Sequence, residues 1–351
     1  MQRRILFGEV PGFYAAVERV EDPALSDRPV IVGGDPRKRG RVQSASAEAL
    51  AAGVELDMPM LEALRLCPQA RSVRTNIGHY REVSRGLMAA LRVVLPRLEP
   101  FGLGAAYADL TGSDDAEARG AALCDVVQER MGLPVRVGIA SRKFLARLVA
   151  QELPERGVRS LAAGEEEGFL SPLPVSRLDG VGRKTAARLE ELGASTIGDV
   201  ARLGRERLQE VFGTHGLRIH AYATGSDDEP LRPERHARSL SREATVRSEP
   251  LDLAVLVEHL SGLAANLEAE LARQAIVAGK VTLKLRFTDQ GVTTRTRTLG
   301  QPVATAQGLL EVAQGLLGRT QAGARPVRSI GLQLGSLAPA EEQERQLGLF
   351  P

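Results

Sequence analysis

The 351-residue chain has no tryptophan, and aromatic residues make up only 3% of it. Stacking bases on an aromatic platform is therefore excluded as its main way of holding a ligand. Its two cysteines, Cys67 and Cys124, are too few for a disulfide framework or a structural zinc site, and they read as core thiols of a reducing compartment. No run of about 18 apolar residues is present to span a bilayer. The start, MQRRILFGEV, breaks its short apolar run at Gly8 and Glu9 and is no secretory signal. A cytoplasmic protein without a membrane partner is expected. Lysine is scarce as well: Lys38, Lys143, Lys184, Lys280 and Lys284 are all there is, so arginine carries nearly all the cationic charge. Arginine suits phosphate contacts, but a GC-rich genome gives the same bias, and the genomic explanation is preferred.

What is present is an ordinary globular composition, 43% apolar with a net charge of +2, at a length that predicts about two to four domains. RILFGEVPGFYAAVERV reads as a strand, a tight turn and a helix starting near Phe13, leaving one carboxylate, Glu9, at the strand's end. Acids at that point of an α/β element are usual places for a metal or for catalysis, although a solvated turn residue is the plainer reading. Up to about residue 170, strand-like RPVIVGG and LPVRVGIA alternate with helical spacing over 80–95 and 115–131. Short helices follow to about 230, and a charged, proline-bearing stretch, GSDDEPLRPERHARSL (225–240), has the composition of a tether. Beyond it the order β-α-β-β-α-β predicts a split βαβ module.

Three segments suggest binding. In LDGVGRKTAARLEELGASTIGDV, a turn through Gly180, Val181 and Gly182 joins two short helices, with Arg183 and Lys184 directly after it. That is a helix-hairpin-helix pattern, which holds nucleic-acid backbone through amides at a helix start; a plain αα-corner is the alternative. In the last module Thr282, Lys284, Arg286 and Thr288 alternate along one strand, and Thr293, Arg295 and Arg297 along the next. Together they predict a basic, hydroxyl-bearing sheet face, and residues 237–340 carry twelve basic against eight acidic side chains. Finally, Gln346, Leu347, Leu349 and Phe350 put apolar anchors after an acidic lead expected to be disordered, as in a peptide that docks into a groove.

These segments, with FYAAVE, RPVIVGG, GVELDMPMLEALRLCP, AYADLTG, VGIASRKFLARL and QLGLF in order, resemble the Y-family translesion DNA polymerases of the bacterial DinB type over nearly the whole chain. The resemblance implies a multi-domain α+β fold in a right-hand arrangement. The palm is expected at 1–10 and 75–168, fingers at 11–74, a helix-hairpin-helix thumb at 169–230, a linker at 231–240, a split βαβ little finger at 241–339, and a tail at 340–351. DNA contacts are expected at Gly180, Val181, Gly182, Arg183, Lys184, Lys284, Arg286, Arg295 and Arg297. The tail resembles the family's peptide for the sliding clamp.

The family's two-metal phosphoryl transfer needs several convergent carboxylates. By the family pattern, its acid positions fall here on Glu9, Pro11, Gly104 and Ala105, so one carboxylate of four remains. Asp109 matches a family acid that is no metal ligand. The tyrosine and arginine that hold the triphosphate correspond to Ala47 and Leu50, and the lysine after the palm helix to Leu153 or a deletion. Tyr14 keeps the steric-gate position. On this pattern Glu9 is at most a weak remnant, no metal or other cofactor is expected, and Mg²⁺ matters only if residual polymerase activity exists.

The expectation is therefore a catalytically inactive homologue resembling the ImuB class of pseudo-polymerases. It would bind damaged or primer-template DNA and the sliding clamp at the nucleoid, and recruit a separate error-prone polymerase and a RecA-like protein. The alternatives are a weak, error-prone polymerase, and a structural DNA-binding protein without clamp dependence.

Overall fold

A computed structural model describes residues 3–226, 228–232, 239–246 and 252–340, and divides the chain into two compact units, 1–234 and 235–351. No helix among the described residues is long and apolar enough to cross a membrane.

The first unit opens with strand β1 (Ile5–Glu9) and helix α1 (Phe13–Glu21), which buries Phe13, Ala15 and Val17. A small three-stranded sheet follows, ordered β3-β2-β4, from β2 (Val30–Gly33), β3 (Val42–Ala45) and β4 (Arg71–Arg74). Helices α2 (Ala47–Ala51) and α3 (Met60–Leu66) belong to the same segment. After α4 (Ile77–Val94) come β5 (Leu98–Phe101), β6 (Ala105–Asp109), α5 (Ala116–Met131), β7 (Arg136–Ala140), α6 (Lys143–Gln151) and β8 (Gly157–Ser160). Their strands and β1 form a five-stranded sheet in the order β5-β6-β1-β7-β8.

Strand β1 lies at the centre of that sheet, antiparallel to β6 on one edge and to β7 on the other. Successive strand side chains point to opposite faces. Leu6 and Val10 therefore enter a core with Leu87, Leu91, Leu123 and Val127 of α4 and α5. Ile5 and Phe7 enter the opposite core, with Phe144, Leu145, Leu148 and Val149 of α6. Glu9 continues the second face.

The helical region comprises α7 (Glu166–Leu170), α8 (Arg183–Glu191), α9 (Ile197–Leu203), α10 (Arg205–Phe212) and α11 (Thr214–Ala223). Its apolar residues Leu178, Val181, Leu189, Ile197, Val200, Leu208, Ile219 and Tyr222 share the α6 core rather than closing one of their own. In front of the Gly180 turn the structure has only a single 3-10 turn, Val175–Arg177, where the sequence suggests a short helix. Pro174 precedes that turn in extended conformation and Leu178 leaves it extended, so both ends are fixed. Helix α9 starts with a reciprocal cap: the Asp199 amide donates to Thr196 Oγ1, and the Thr196 amide and hydroxyl donate to Asp199 Oδ2, each at 2.8 Å.

The second unit is β9 (Ser239–Thr245), α12 (Leu253–Gln274), β10 (Ile276–Phe287), β11 (Val292–Val303), α13 (Ala306–Leu317) and β12 (Val327–Pro339). It is the split βαβ module the sequence predicts, as one antiparallel sheet ordered β11-β10-β12-β9. Leu256, Leu260, Leu267, Leu309 and Leu316 of the helices pack on Val281, Leu283, Leu285 and Leu332 of the strands.

The N-terminal unit also buries a charge pair. Lys143 Nζ lies 2.9 Å from both oxygens of Glu99, with the side chains only 7% and 2% exposed, and 4.9 Å from the centre of the Tyr107 ring. The Arg232 amide donates to Glu99 Oε2 at 2.7 Å, fastening the segment after α11 to the sheet.

Two stability predictions follow from these contacts. Lys143→Met leaves a buried carboxylate without its ammonium and should cost about 3–5 kcal/mol in urea unfolding; a loss below about 1 kcal/mol would mean the pair behaves as if exposed. The backbone amide of Thr196 first, then its hydroxyl, the Ser195 amide and Arg202, hold the Asp199 carboxyl down at about 2. A depressed folded value stabilises above the unfolded carboxyl range and is lost as pH falls through it. The melting-temperature gap between the wild type and Asp199→Asn should be full at pH 7 and shrink below about pH 4; a gap constant with pH would refute the role of the ionised cap.

Candidate active site

The end of β1 opens into a cavity of about 430 Å³ that collects most of the positions marked in the sequence: Glu9, Pro11, Tyr14, Leu50, Gly104 and Ala105 all line it. Ala47 lies on the same short helix as Leu50 but is not in the lining. The fingers side thus offers the cavity alkyl surface from Leu50 and Leu56.

Strand pairing explains what surrounds Glu9. Its cross-strand partners are Ala105 on β6 and Arg136 on β7, so the three side chains share one face. Arg136 Nε donates to Glu9 Oε1 at 2.8 Å, and Nη2 lies 2.7 Å from the same oxygen. The other terminal nitrogen, Nη1, donates to the carbonyls of Leu153 at 3.1 Å and Gln151 at 3.4 Å. Glu9 and Arg136 are 17% and 19% exposed. Leu153 thus enters the site through its carbonyl, where the resemblance puts a lysine. Arg136 escaped the sequence reading; its signal was a lone charge within the apolar run LPVRVGIA.

Asp109 cannot replace the missing acids. It pairs with Ile5 at the far end of β1, four residues from Ala105, which at about 3.3 Å per residue is roughly 13 Å away. Its Oδ1 instead accepts from the Thr111 amide at 2.8 Å. Gly104 has no room for a larger side chain, because a Cβ there would lie 2.6 Å from Phe13 Cβ and 2.7 Å from its Cγ. Among the described residues no group of three or more His, Cys, Asp or Glu could hold a metal ion. The residues present do not fit the family's pair of divalent ions.

Tyr14 stacks on Tyr80, with centroids 4.3 Å apart and planes 9° from parallel. The Tyr80 hydroxyl donates to Glu18 Oε1 at 2.5 Å. Burial first, then that carboxylate, push the Tyr80 phenol up, so it stays protonated and remains a donor at any physiological pH. Tyr14 is therefore backed by an aromatic surface.

The helical region presents its turn as the motif requires. Gly180 has φ +82°, a left-handed conformation that favours glycine, and a Cβ there would meet His215 Nε2 at 2.9 Å. Val181 is buried in the core, and Gly182 caps α8, with Arg183 and Lys184 exposed in its first turn. Asp179 is engaged by Arg147, and Arg183 pairs with Glu55 of the segment expected to form the fingers.

The single basic sheet face in the second unit needs correction. Lys284 and Arg286 do point outward from β10, next to Thr294 and Val292. Arg295 and Arg297 pair with Leu283 and Val281, however, and so lie on the face that carries the helices. Arg295 Nε donates there to the Arg319 carbonyl at 3.0 Å. Thr296, not an arginine, meets Thr282 on the outer face, with the hydroxyls 2.9 Å apart. The tail positions Gln346, Leu347, Leu349 and Phe350 lie outside the described residues.

Comparison with known proteins decides the family. Residues 9–151 match the impB/mucB/samB family, 237–349 its C-terminal domain, and 176–227 the thumb domain of DNA polymerase iota. A protein named DNA polymerase IV from Alkalilimnicola ehrlichii is 35% identical, over 99% of both chains. The chain belongs to the Y family of DNA polymerases, in its DinB branch. DNA polymerase IV from Caulobacter vibrioides is 38% identical over 87% of this chain and 76% of its own, and DNA polymerase IV 1 of Bacillus subtilis 33% over 99% and 85%. The Y-family fold is equally plain in a solved polymerase chimera, Dbh-Dpo4(243-245)-Dbh, with a TM-score of 0.81 at 23% identity, covering 96% of this chain and 99% of that one.

These relatives overturn the expectation of an inactive, ImuB-like scaffold, since the proteins this Y-family chain matches end to end are named as polymerases. The separate polymerase and the RecA-like protein were implied only by the scaffold reading and fall with it. Glu9 is the one carboxylate among the described residues that line the cavity.

The Phe13 contact yields a prediction for the acid position. Gly104→Ala should destabilise the protein by about 1–3 kcal/mol, because Phe13 Cβ is fixed to its backbone and cannot retreat. Thermal unfolding within about 0.5 kcal/mol of wild type would show that α1 shifts readily.

Proposed function

We propose that this protein is a weak, error-prone DNA polymerase that extends primers on damaged templates. The observation that supports this most is the end-to-end similarity, at 35% identity, to a protein named DNA polymerase IV. Tyr14, stacked on the buried Tyr80, gives the cavity an aromatic wall, suited to packing against the sugar of an incoming nucleotide and penalising a ribose 2′-hydroxyl. Divalent ions, when bound, would supply charge neutralisation at the triphosphate. The described residues do not form a site for two of them.

DNA is held, on this reading, through its backbone. The amides at the start of α8, with Gly180, Val181 and Gly182 shaping the turn, face phosphate, and Arg183 and Lys184 add charge. Lys284 and Arg286 do the same from the outer face of the little finger, while Arg295 and Arg297 reach a strand only past the sheet's edge. The tail segment with Gln346, Leu347, Leu349 and Phe350 is proposed to engage the sliding clamp through its apolar anchors.

Primer extension with the purified full-length protein, four deoxynucleotides and Mg²⁺ or Mn²⁺ tests the reading. Slow extension of the primer is the expected result. No extension with either metal, at protein concentrations that saturate the primer-template, would refute it. Duplex affinity should fall with salt, and Lys184→Ala or Arg286→Ala should each lower the salt slope by about one without changing sequence preference. An unchanged slope in both would remove these side chains from the interface.

A further inference from the structure

The palm holds one carboxylate at its mouth and ties that carboxylate to an arginine of its own. Glu9 and Arg136 are cross-strand partners, and the guanidinium uses two nitrogens on Glu9 Oε1 and its third on the carbonyls of Leu153 and Gln151. The guanidinium is therefore held from three directions by the end of β1 and the end of α6. Glu9 is also the one acid, and Arg136 the one base, among the residues lining the cavity. A divalent ion approaching Glu9 would meet a fixed positive charge already neutralising the carboxylate, in a pair that is mostly shielded from water.

We infer that Arg136 is the resident cation of this palm: its guanidinium takes the place on Glu9 that a hard divalent ion would take, and sets the metal affinity of the cavity. The geometry favours this over a plain structural ion pair because the pair faces the cavity where the nucleotide would sit, and because the two carbonyls fix the guanidinium whether or not Glu9 is ionised. A hard ion such as Mg²⁺ or Mn²⁺ needs oxygen ligands of net negative charge, and the arginine already neutralises the one carboxylate in the cavity lining. The consequence concerns the metal alone, and it is read apart from primer extension.

The test is Mn²⁺ binding to the full-length protein, without DNA or nucleotide, followed by loss of the free-ion electron paramagnetic resonance signal. Wild type should bind Mn²⁺ weakly, and Glu9→Gln, which leaves the Arg136 charge unpaired, no more tightly than wild type. Arg136→Ala should bind at least about tenfold more tightly, the effect of removing one charge roughly 5 Å from a divalent ion in a watery cleft. That gain should vanish in the double variant Glu9→Gln/Arg136→Ala. Should Arg136→Ala fail to fold, Arg136→Gln, which can still donate to the Leu153 carbonyl, should show the same gain. The inference is overturned if neither Arg136 variant gains affinity over wild type, or if the gain of Arg136→Ala persists undiminished in the double variant. Because no synthesis is read, failure here leaves the polymerase reading standing, and failed extension leaves this inference standing.

Discussion

The N-terminal unit depends on five residues. Strand β1 is hydrogen-bonded along both edges and buried on both faces, so its backbone has no freedom in register and its side chains none in direction. Ile5 and Phe7 fix the face toward α6, and Glu9 inherits that face by strand alternation alone. The acid is thereby delivered to the mouth of the cavity, and the same pairing that places it also sets Arg136 beside it. Position and neutralisation come from one constraint.

Much of this was legible in the chain. The strands and helices follow from apolar runs and from helical spacing, and the helices at 77–94 and 116–131 are nearly where periodicity puts them. The collinear motifs led to the Y family, and the positions they marked do gather at one cavity, from Glu9 and Pro11 across to Gly104 and Ala105. What could not be read is anything that depends on the phase between two strands. Alternation assigns faces within β10 and within β11, but the turn at 288–291 decides which face of one meets which face of the other. A shift of one residue separates Arg295 from Lys284, and no composition records it. The contact between Glu9 and Arg136 is hidden for the same reason, since it joins residues 127 positions apart through the register of β1 on β7.

The activity was misread for a different reason. Counting acids at family positions treats a site as the sum of its ligands, whereas relatives matched end to end are named as polymerases at 34–35% identity. The structure explains part of the substitution pattern locally. Phe13 fills the space in front of Gly104, so glycine there is a packing requirement of this α1, and the alkyl lining from Leu50 and Leu56 goes with a cavity whose only positive charge is Arg136.

The shared core on the α6 side has a consequence for how such a chain can be divided by evolution or by design. Leu145, Leu148 and Val149 are covered by Val181, Leu189, Ile197 and Ile219, so the palm sheet and the helical region are two halves of one interior. A cut between them near residue 170 would open that interior on both sides. The little finger has a complete core of its own, from Leu240 to Leu334. Recombination between relatives therefore has one natural seam in this chain, the stretch between residues 232 and 239, and segments exchanged there carry finished interiors with them.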